Sequence, residues 1–216
     1  MVKKIVLIGA GGCGREVAYL ISEKNQRKKT YELLGFLDDG PNFDRNSDIN
    51  GYPWLGKSDW IIDHKEDIVC TCTIGDAAIK ARVQRRLMEQ GVHFETLIAI
   101  SGGITPYTQI GPGCILYWNA GVSVNCKIGA GVLLNEGVKV GHDVTIGDYT
   151  SIMTGSAISG GCEIGDEVEI GGHAFVIPRR KIGSRAHVAA GSIVFSNVKA
   201  GTTVLGNPAK RMKELE

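Results

Sequence analysis

From Ile104 onward the sequence counts in sixes. Every sixth residue from Ile104 to Val194 is Ile, Leu or Val, sixteen positions in succession. Four places after each of these stands a small or β-branched residue, from Thr108 and Cys114 on to Val198, with Arg180 as the one exception. An Ile-Gly pair recurs every eighteen residues, at Ile110, Ile128, Ile146, Ile164 and Ile182. A fixed period of this kind describes a stacked array and takes precedence over local propensity. Neither the helical period nor plain strand alternation yields six with one bulky and one small inward place. Three six-residue strands closing one turn of eighteen do. The aliphatic residue then fills the inside of a triangular prism and the small one fits near the bend. One coil cannot bury its own apolar residues, so about five must stack to make a core.

This pattern resembles the left-handed parallel β-helix of the hexapeptide-repeat acyltransferases, over roughly residues 101–216. Composition agrees with a two-part chain. The 216 residues allow one large or two modest domains. A net charge of +1 with 22% charged residues gives no global field for nucleic acid or an anionic membrane. Met1–Ile8 has an apolar run too short for a signal peptide or a membrane span, so a cytoplasmic location is expected. The six cysteines include no CxxC pair, and Cys70-Thr71-Cys72 is poorly spaced for chelation. Cys114, Cys126 and Cys162 occupy the small inward place of the repeat, where a thiol serves as a small hydrophobe.

Ahead of the repeat, residues 3–8 form a β-branched run that meets Gly9-Ala10-Gly11-Gly12-Cys13-Gly14 and then an apolar-periodic helix. Strand, glycine turn and helix make the first unit of a nucleotide-binding sheet, with backbone free to approach a phosphate at a helix N-terminus. A second strand, 33–37, ends in Asp38-Asp39, placed to contact a sugar or base. Lys24–Lys29 reads as a solvated helix end and loop. A third strand over 67–74 ends at Gly75-Asp76, and 77–90 has helical spacing. Three or four strands in about 100 residues make half of a dinucleotide fold. That favours a mononucleotide or nucleotide-sugar site over NAD. The expected organisation is a Rossmann-like α/β half-domain over 1–100, a β-helix over 101–198, and a C-terminal cap over 199–216.

Within the repeat most outward places are generic, but His142-Asp143 is not. His142 holds the third place of its hexad, which points away from the prism interior. Imidazole is the side chain suited to proton transfer near neutral pH, and an acid follows it directly. A lone exposed histidine is more often a surface residue. Acyl transfer on such a scaffold, however, needs a base on the outside of the prism.

Together the glycine-rich N-terminal unit, the FLDD and IGD segments, Asn135 seven residues before His142-Asp143, and the closing GNPAKR resemble the sugar acetyltransferases of the bacillosamine, perosamine and sialic-acid type. The resemblance spans essentially the whole chain. It implies a homotrimer that uses acetyl-CoA as co-substrate, needs no metal, and acetylates the amino group of a nucleotide-linked amino sugar by direct transfer. It implies His142 as general base, Asp143 as the acid that orients it, and Asn135 as a polar partner. Gly11, Gly12, Cys13, Asp38, Asp39, Gly75 and Asp76 become nucleotide-sugar contacts. Gly160, Gly172 and Ala190 fall where the thioester would run. Lys210 and Arg211 fall near a coenzyme A phosphate, unless they form only a charged helix end. Against the resemblance, Ser151 stands where some relatives carry a second histidine near the cofactor, and Cys13 where others carry histidine in the glycine loop.

Four other readings compete. O-acetylation of a sugar hydroxyl would use the same base. A zinc lyase of the γ-carbonic-anhydrase type needs three histidines from adjacent prisms, but His142, His173 and His187 occupy different places of their hexads. An NAD-linked oxidoreductase needs a longer first domain, and a non-catalytic trimer would show no transfer.

Overall fold

The computed structural model describes residues 2–44 and 46–212. Strand β1, Lys3–Ile8, buries Ile5 to Ile8 and delivers the chain to Gly9. Helix α1, Gly12–Arg27, follows at once, and β2, Tyr31–Leu37, pairs parallel to β1. Next comes a hairpin that the sequence reading passed over, β3 (Asp48–Ile49) and β4 (Tyr52–Gly56). Its turn is Asn50-Gly51, both left-handed, at φ 53° and 85°. Asn-Gly is the strongest short hairpin signal, because both central residues must take positive φ. Strand β5, Ile68–Cys72, and helix α2, Ala77–Glu89, complete the unit. The sheet has five strands in the order β3-β4-β2-β1-β5 rather than the three or four anticipated.

The repeat folds as a three-sided prism, consistent with a left-handed β-helix. Two-residue rungs stack in parallel into three sheets. Face 1 starts at Leu97–Ile98 and continues through Ile115–Leu116, Leu133–Leu134, Ser151–Ile152, Glu169–Ile170 and His187–Val188. Face 2 runs from Gly103–Ile104 to Ile193–Val194, and face 3 from Gln109–Ile110 to Lys181–Ile182. The aliphatic column forms one continuous buried cluster with the small column. Cys114, Cys126 and Cys162 are buried there, each thiol donating to a carbonyl of the next coil at 3.1–3.3 Å.

The corners follow a rule not read from the sequence. The fourth place of every hexad from Gly113 to Gly191 is left-handed. Gly, Asn and Asp fill many of these places at little expense, whereas Tyr149, Glu167, Arg179 and Arg185 adopt a conformation that costs a side-chain-bearing residue about 1 kcal/mol or more. From Gly131 onward the N–H of such a residue bonds to a carbonyl nineteen residues earlier, as Asp143 N does to Val124 O at 3.0 Å.

After the last hexad, Thr203–Leu205 adds a parallel rung to face 1 and Lys210–Arg211 returns antiparallel upon it. The basic pair is therefore an exposed edge strand and not the end of a helix. A second correction concerns Lys24. Half-buried rather than solvated, its ammonium donates to Ile98 O at 2.8 Å, tying α1 to the prism.

Face 1 carries the α/β unit. Its outward residues Leu97, Ile115 and Leu133 join Ile5, Leu7, Val17, Leu20 and Ile21 in one buried cluster. Further along, the outward column turns polar, with Ser151, Glu169 and His187, and these receive the start of α2. Glu169 accepts from Ala77 N at 3.0 Å and holds His187 Nδ1 at 3.1 Å. Helix α2 also grips the neighbouring edge, where Arg85 pairs with Glu167 at 2.7 Å and lies over the Tyr149 ring.

Candidate active site

His142 lies on the corner between faces 2 and 3, the edge of the prism opposite face 1. The left-handed turn at Asp143 (φ 57°) swings its carboxylate back onto the preceding ring, and Asp143 Oδ2 meets His142 Nδ1 at 2.7 Å. The second oxygen accepts from Asn125 Nδ2 at 3.1 Å. Asn125 stands one coil earlier in the same corner place, which makes it a site residue the sequence reading missed. The signal was the eighteen-residue spacing between two polar fourth places. The bonds from His142 and then Asn125 hold the Asp143 carboxyl below its ordinary pKa. Its charge therefore persists as the pH falls, and so does the pairing with His142.

With Nδ1–H given to Asp143, the lone pair of the neutral ring lies at Nε2. Directly beneath is Gly160, one coil later. A Cβ there would come within 2.6 Å of both Cε1 and Nε2 of His142. The imidazole thus rests on bare backbone and remains about two-thirds exposed. The Gly160 N–H takes no part in the backbone ladder among the described residues, whereas its carbonyl accepts from Arg179 N at 3.0 Å. An oriented base with an open face, next to an uncommitted amide, can serve attack of an amine or hydroxyl on a carbonyl.

Asn135 is not part of this cluster within one chain. It sits on the corner between faces 1 and 2, at the other end of the rung Lys139–Val140, with its amide towards Met153 Sδ at 3.9 Å. Gly172 and Ala190 lie on that same corner, so they and Gly160 bracket face 2. A Cβ at Gly172 would approach Thr154 O to 3.2 Å. Lys210 and Arg211 lie at the far end, where Ala209 N bonds to Ile193 O of the last face 2 rung at 2.8 Å. His173 and His187 lie on other parts of the prism from His142, and among the described residues no three His, Cys, Asp or Glu converge to hold a metal ion.

The glycine loop is built as its spacing requires. A Cβ on Gly14 would fall 2.1 Å from Gly9 O, so only glycine permits this approach of helix to strand. Gly11 and Gly12 instead face open space at the start of α1. Asp38 secures the loop, accepting from Ala10 N and Gly40 N at 2.8 Å each. Asp39 accepts from the N–H and hydroxyl of Ser58 at 2.7 Å each. Both acids thus shape a cleft of about 260 Å³ that Gly9, Gly40, Ile74 and Arg82 also line. Asp76 caps α2 through Ile79 N at 2.7 Å, and Gly75 O accepts from Ser151 Oγ at 2.9 Å. Cys13 Sγ lies 2.9 Å from Tyr117 Oη, and burial raises its pKa, keeping it a thiol.

Comparison with known proteins yields a consistent set. The family described as PglD N-terminal domain matches residues 4–87, and the bacterial transferase hexapeptide family (six repeats) matches 125–160 and 143–178. The GDP-perosamine N-acetyltransferase of Escherichia coli O157:H7 is 30% identical over 214 residues, 96% of this chain and 95% of that protein. Among solved structures, the acetyltransferase domain of PglB from Neisseria gonorrhoeae FA1090, in complex with acetyl coenzyme A, superposes with a TM-score of 0.87. It is 29% identical and covers 98% of this chain and 100% of its own. PerB from Caulobacter crescentus, in complex with CoA and GDP-perosamine, shares the fold at a TM-score of 0.87 and 23% identity over 99% of both chains.

Proposed function

We propose, for a chain that belongs to the same family as GDP-perosamine N-acetyltransferase, that it transfers the acetyl group of acetyl-CoA to the amine of a nucleotide-linked amino sugar. That it is an acetyltransferase follows from its family. The sugar amine, His142 as the base and a shared site are the proposal. The observation that carries it is the His142–Asp143 pair, locked at 2.7 Å and resting on Gly160.

The amine nitrogen attacks the thioester carbonyl as His142 Nε2 removes its proton, a contribution of roughly 100- to 10,000-fold. The tetrahedral intermediate collapses, the C–S bond breaks, and the imidazolium returns a proton to the departing thiolate. The Gly160 N–H is the donor for the oxyanion. Face 2, bracketed by Gly160, Gly172 and Ala190, takes the pantetheine arm, with Lys210 and Arg211 at the nucleotide end. Gly11, Gly12 and Cys13, with the cleft formed by Asp38 and Asp39 and the Gly75-Asp76 loop, hold the nucleotide sugar.

The geometry supports a trimer. The glycine loop lies over face 1 while His142 occupies the opposite edge, so one chain holds the two halves of the site apart. A second copy must bring its His142 edge to the first copy's glycine loop, and Asn135, on the corner between faces 1 and 2, then contacts the neighbour's site. No described helix is long and apolar enough to cross a membrane, and the chain works in the cytoplasm, where acetyl-CoA and nucleotide sugars are available.

Thiol release from acetyl-CoA against a panel of amino- and hydroxy-nucleotide sugars tests the reading. The expected result is turnover with an amino sugar and a loss of at least 100-fold in kcat for His142→Ala, with acetyl-CoA still bound. Near-normal turnover by that variant removes His142 from the role. Mixed assemblies of His142→Ala with Gly12→Asp chains should recover activity, because only a shared site allows complementation.

A further inference from the structure

Lys80 is the only charged side chain fully buried among the described residues, at 2% exposure. It lies in the second turn of α2, between that helix and face 1. Its ammonium donates to Ser151 Oγ at 2.7 Å and, weakly, to Thr150 O at 3.5 Å. Among the described residues no carboxylate stands within ion-pair distance of it. Glu169, the nearest acid on that face, spends its oxygens on Ala77 N and His187. An uncompensated buried cation is destabilising, and an apolar residue of similar length would normally serve packing better. Its retention therefore calls for a use.

Its surroundings supply one. The hydroxyl that accepts from Lys80 donates in turn to Gly75 O at 2.9 Å, so lysine, serine and loop carbonyl form one chain of hydrogen bonds. The Gly75-Asp76 loop packs beside the glycine loop, since Thr73 Oγ1 donates to Gly9 O at 2.8 Å. Lys80 lies near enough to Cys13, inside the glycine loop, for its charge to be felt there, although burial keeps Cys13 itself an uncharged thiol. The cation thus sits behind the two loops that would flank a nucleotide diphosphate at the start of α1, where the helix end already favours negative charge.

We propose that Lys80 is a positioning residue for the nucleotide sugar. Through Ser151 it fixes the Gly75-Asp76 loop on face 1, and its charge complements the diphosphate bound in front of it. This rests on the nucleotide-sugar reading above, and the test separates the two. Calorimetric titration with nucleoside diphosphates (GDP and UDP), the matching nucleosides and coenzyme A is made on wild type, Lys80→Met and Lys80→Arg, with thermal melting of each. Lys80→Met should lose at least tenfold in affinity for the diphosphate that wild type binds. Its affinities for nucleoside and coenzyme A should not change, and it should melt no lower than wild type, because the buried charge is gone. Lys80→Arg should retain diphosphate affinity to within about threefold. A Lys80→Met chain that fails to fold, melts several degrees lower, or loses nucleoside and diphosphate equally makes Lys80 a structural residue and overturns the proposal. Unchanged diphosphate binding in that variant overturns it while leaving the nucleotide-sugar reading intact. A wild type that binds neither diphosphate removes that reading, and this inference with it.

Discussion

Gly160→Ala tests the proposed site most directly, because it adds one methyl group at a known distance from one ring. The Gly160 backbone is not left-handed, so alanine fits the main chain without strain. The new Cβ would lie 2.6 Å from His142 Cε1 and Nε2, where 3.4 Å begins ordinary contact, so the ring must retreat by about 0.8 Å. The ring is free to do so, since His142 is exposed, and the movement turns Nε2 away from the amine or loosens the bond to Asp143. A displacement near 1 Å at a reacting group can cost about 100-fold, and kcat should fall by that order. Stability should change little: alanine at a compatible position gains about 0.4–1 kcal/mol through the unfolded chain, which offsets part of the crowding. Initial rates by thiol release and melting by calorimetry give both quantities. If Gly160 serves only to let the thioester approach, KM for acetyl-CoA will rise while kcat holds. A kcat within roughly threefold of wild type refutes the view that the bare glycine seats the base.

Three further outcomes follow from the same geometry. Asp143→Asn removes the acceptor that keeps the proton on Nδ1 and should lower kcat roughly 10- to 100-fold, with acetyl-CoA affinity unchanged by titration. Asn125→Ala removes one of the two bonds that depress the Asp143 pKa, and a carbon-detected NMR titration should show that carboxyl moving up towards its ordinary value while His142 stays paired. Lys80 gives a pH dependence of stability. Burial lowers its pKa from 10.5 to about 8, so between these values the unfolded chain binds a proton that the folded chain has released. Stability therefore rises with pH across that window, by up to about 3 kcal/mol, and urea unfolding should show the rise in wild type and not in Lys80→Met.

The period of six made the prism legible because a repeating core leaves no freedom in which residues point inward. Ile104 to Val194 had to share one interior, and the cysteines of the small column had to be packing groups. Less was legible where conformation rather than burial decides. The left-handed fourth place admits Tyr149, Arg179 and Arg185, which no propensity scale assigns to such a turn, so it does not announce itself in the residue types. Asn125 could be found only once that place was known, since its bond to Asp143 depends on both residues bending alike. The covered face, by contrast, left a mark. The outward places Ile115 and Leu133 are apolar where their counterparts on face 3, Lys127 and Thr145, are polar, and this sets face 1, which receives the α/β unit, apart from face 3. Lys80 had no such mark. Its neighbours Ser151 and Gly75 are 71 and 5 residues away in the sequence, and nothing in a helical lysine foretells its burial.

Stacking also explains why a site on this scaffold should need two chains. Residues eighteen apart share a corner, so a corner collects a column: Asn125 above Asp143, and His142 above Gly160. Each column is narrow, and its neighbours along the chain are displaced by a whole face. A prism therefore orients a base well but encloses nothing, as the exposed imidazole shows. Enclosure has to come from another body. The chain's own α/β unit cannot supply it, because its contacts commit it to face 1, with Lys24 bonded at Ile98 and Ala77 at Glu169. A second copy can, and a closed ring of copies gives every His142 the same partner without leaving an unmatched edge. If light scattering finds the active species to be a monomer, or if His142→Ala and Gly12→Asp chains fail to complement while assembling together, the two halves must meet within one chain. The placement of the α/β unit on face 1 would then be wrong.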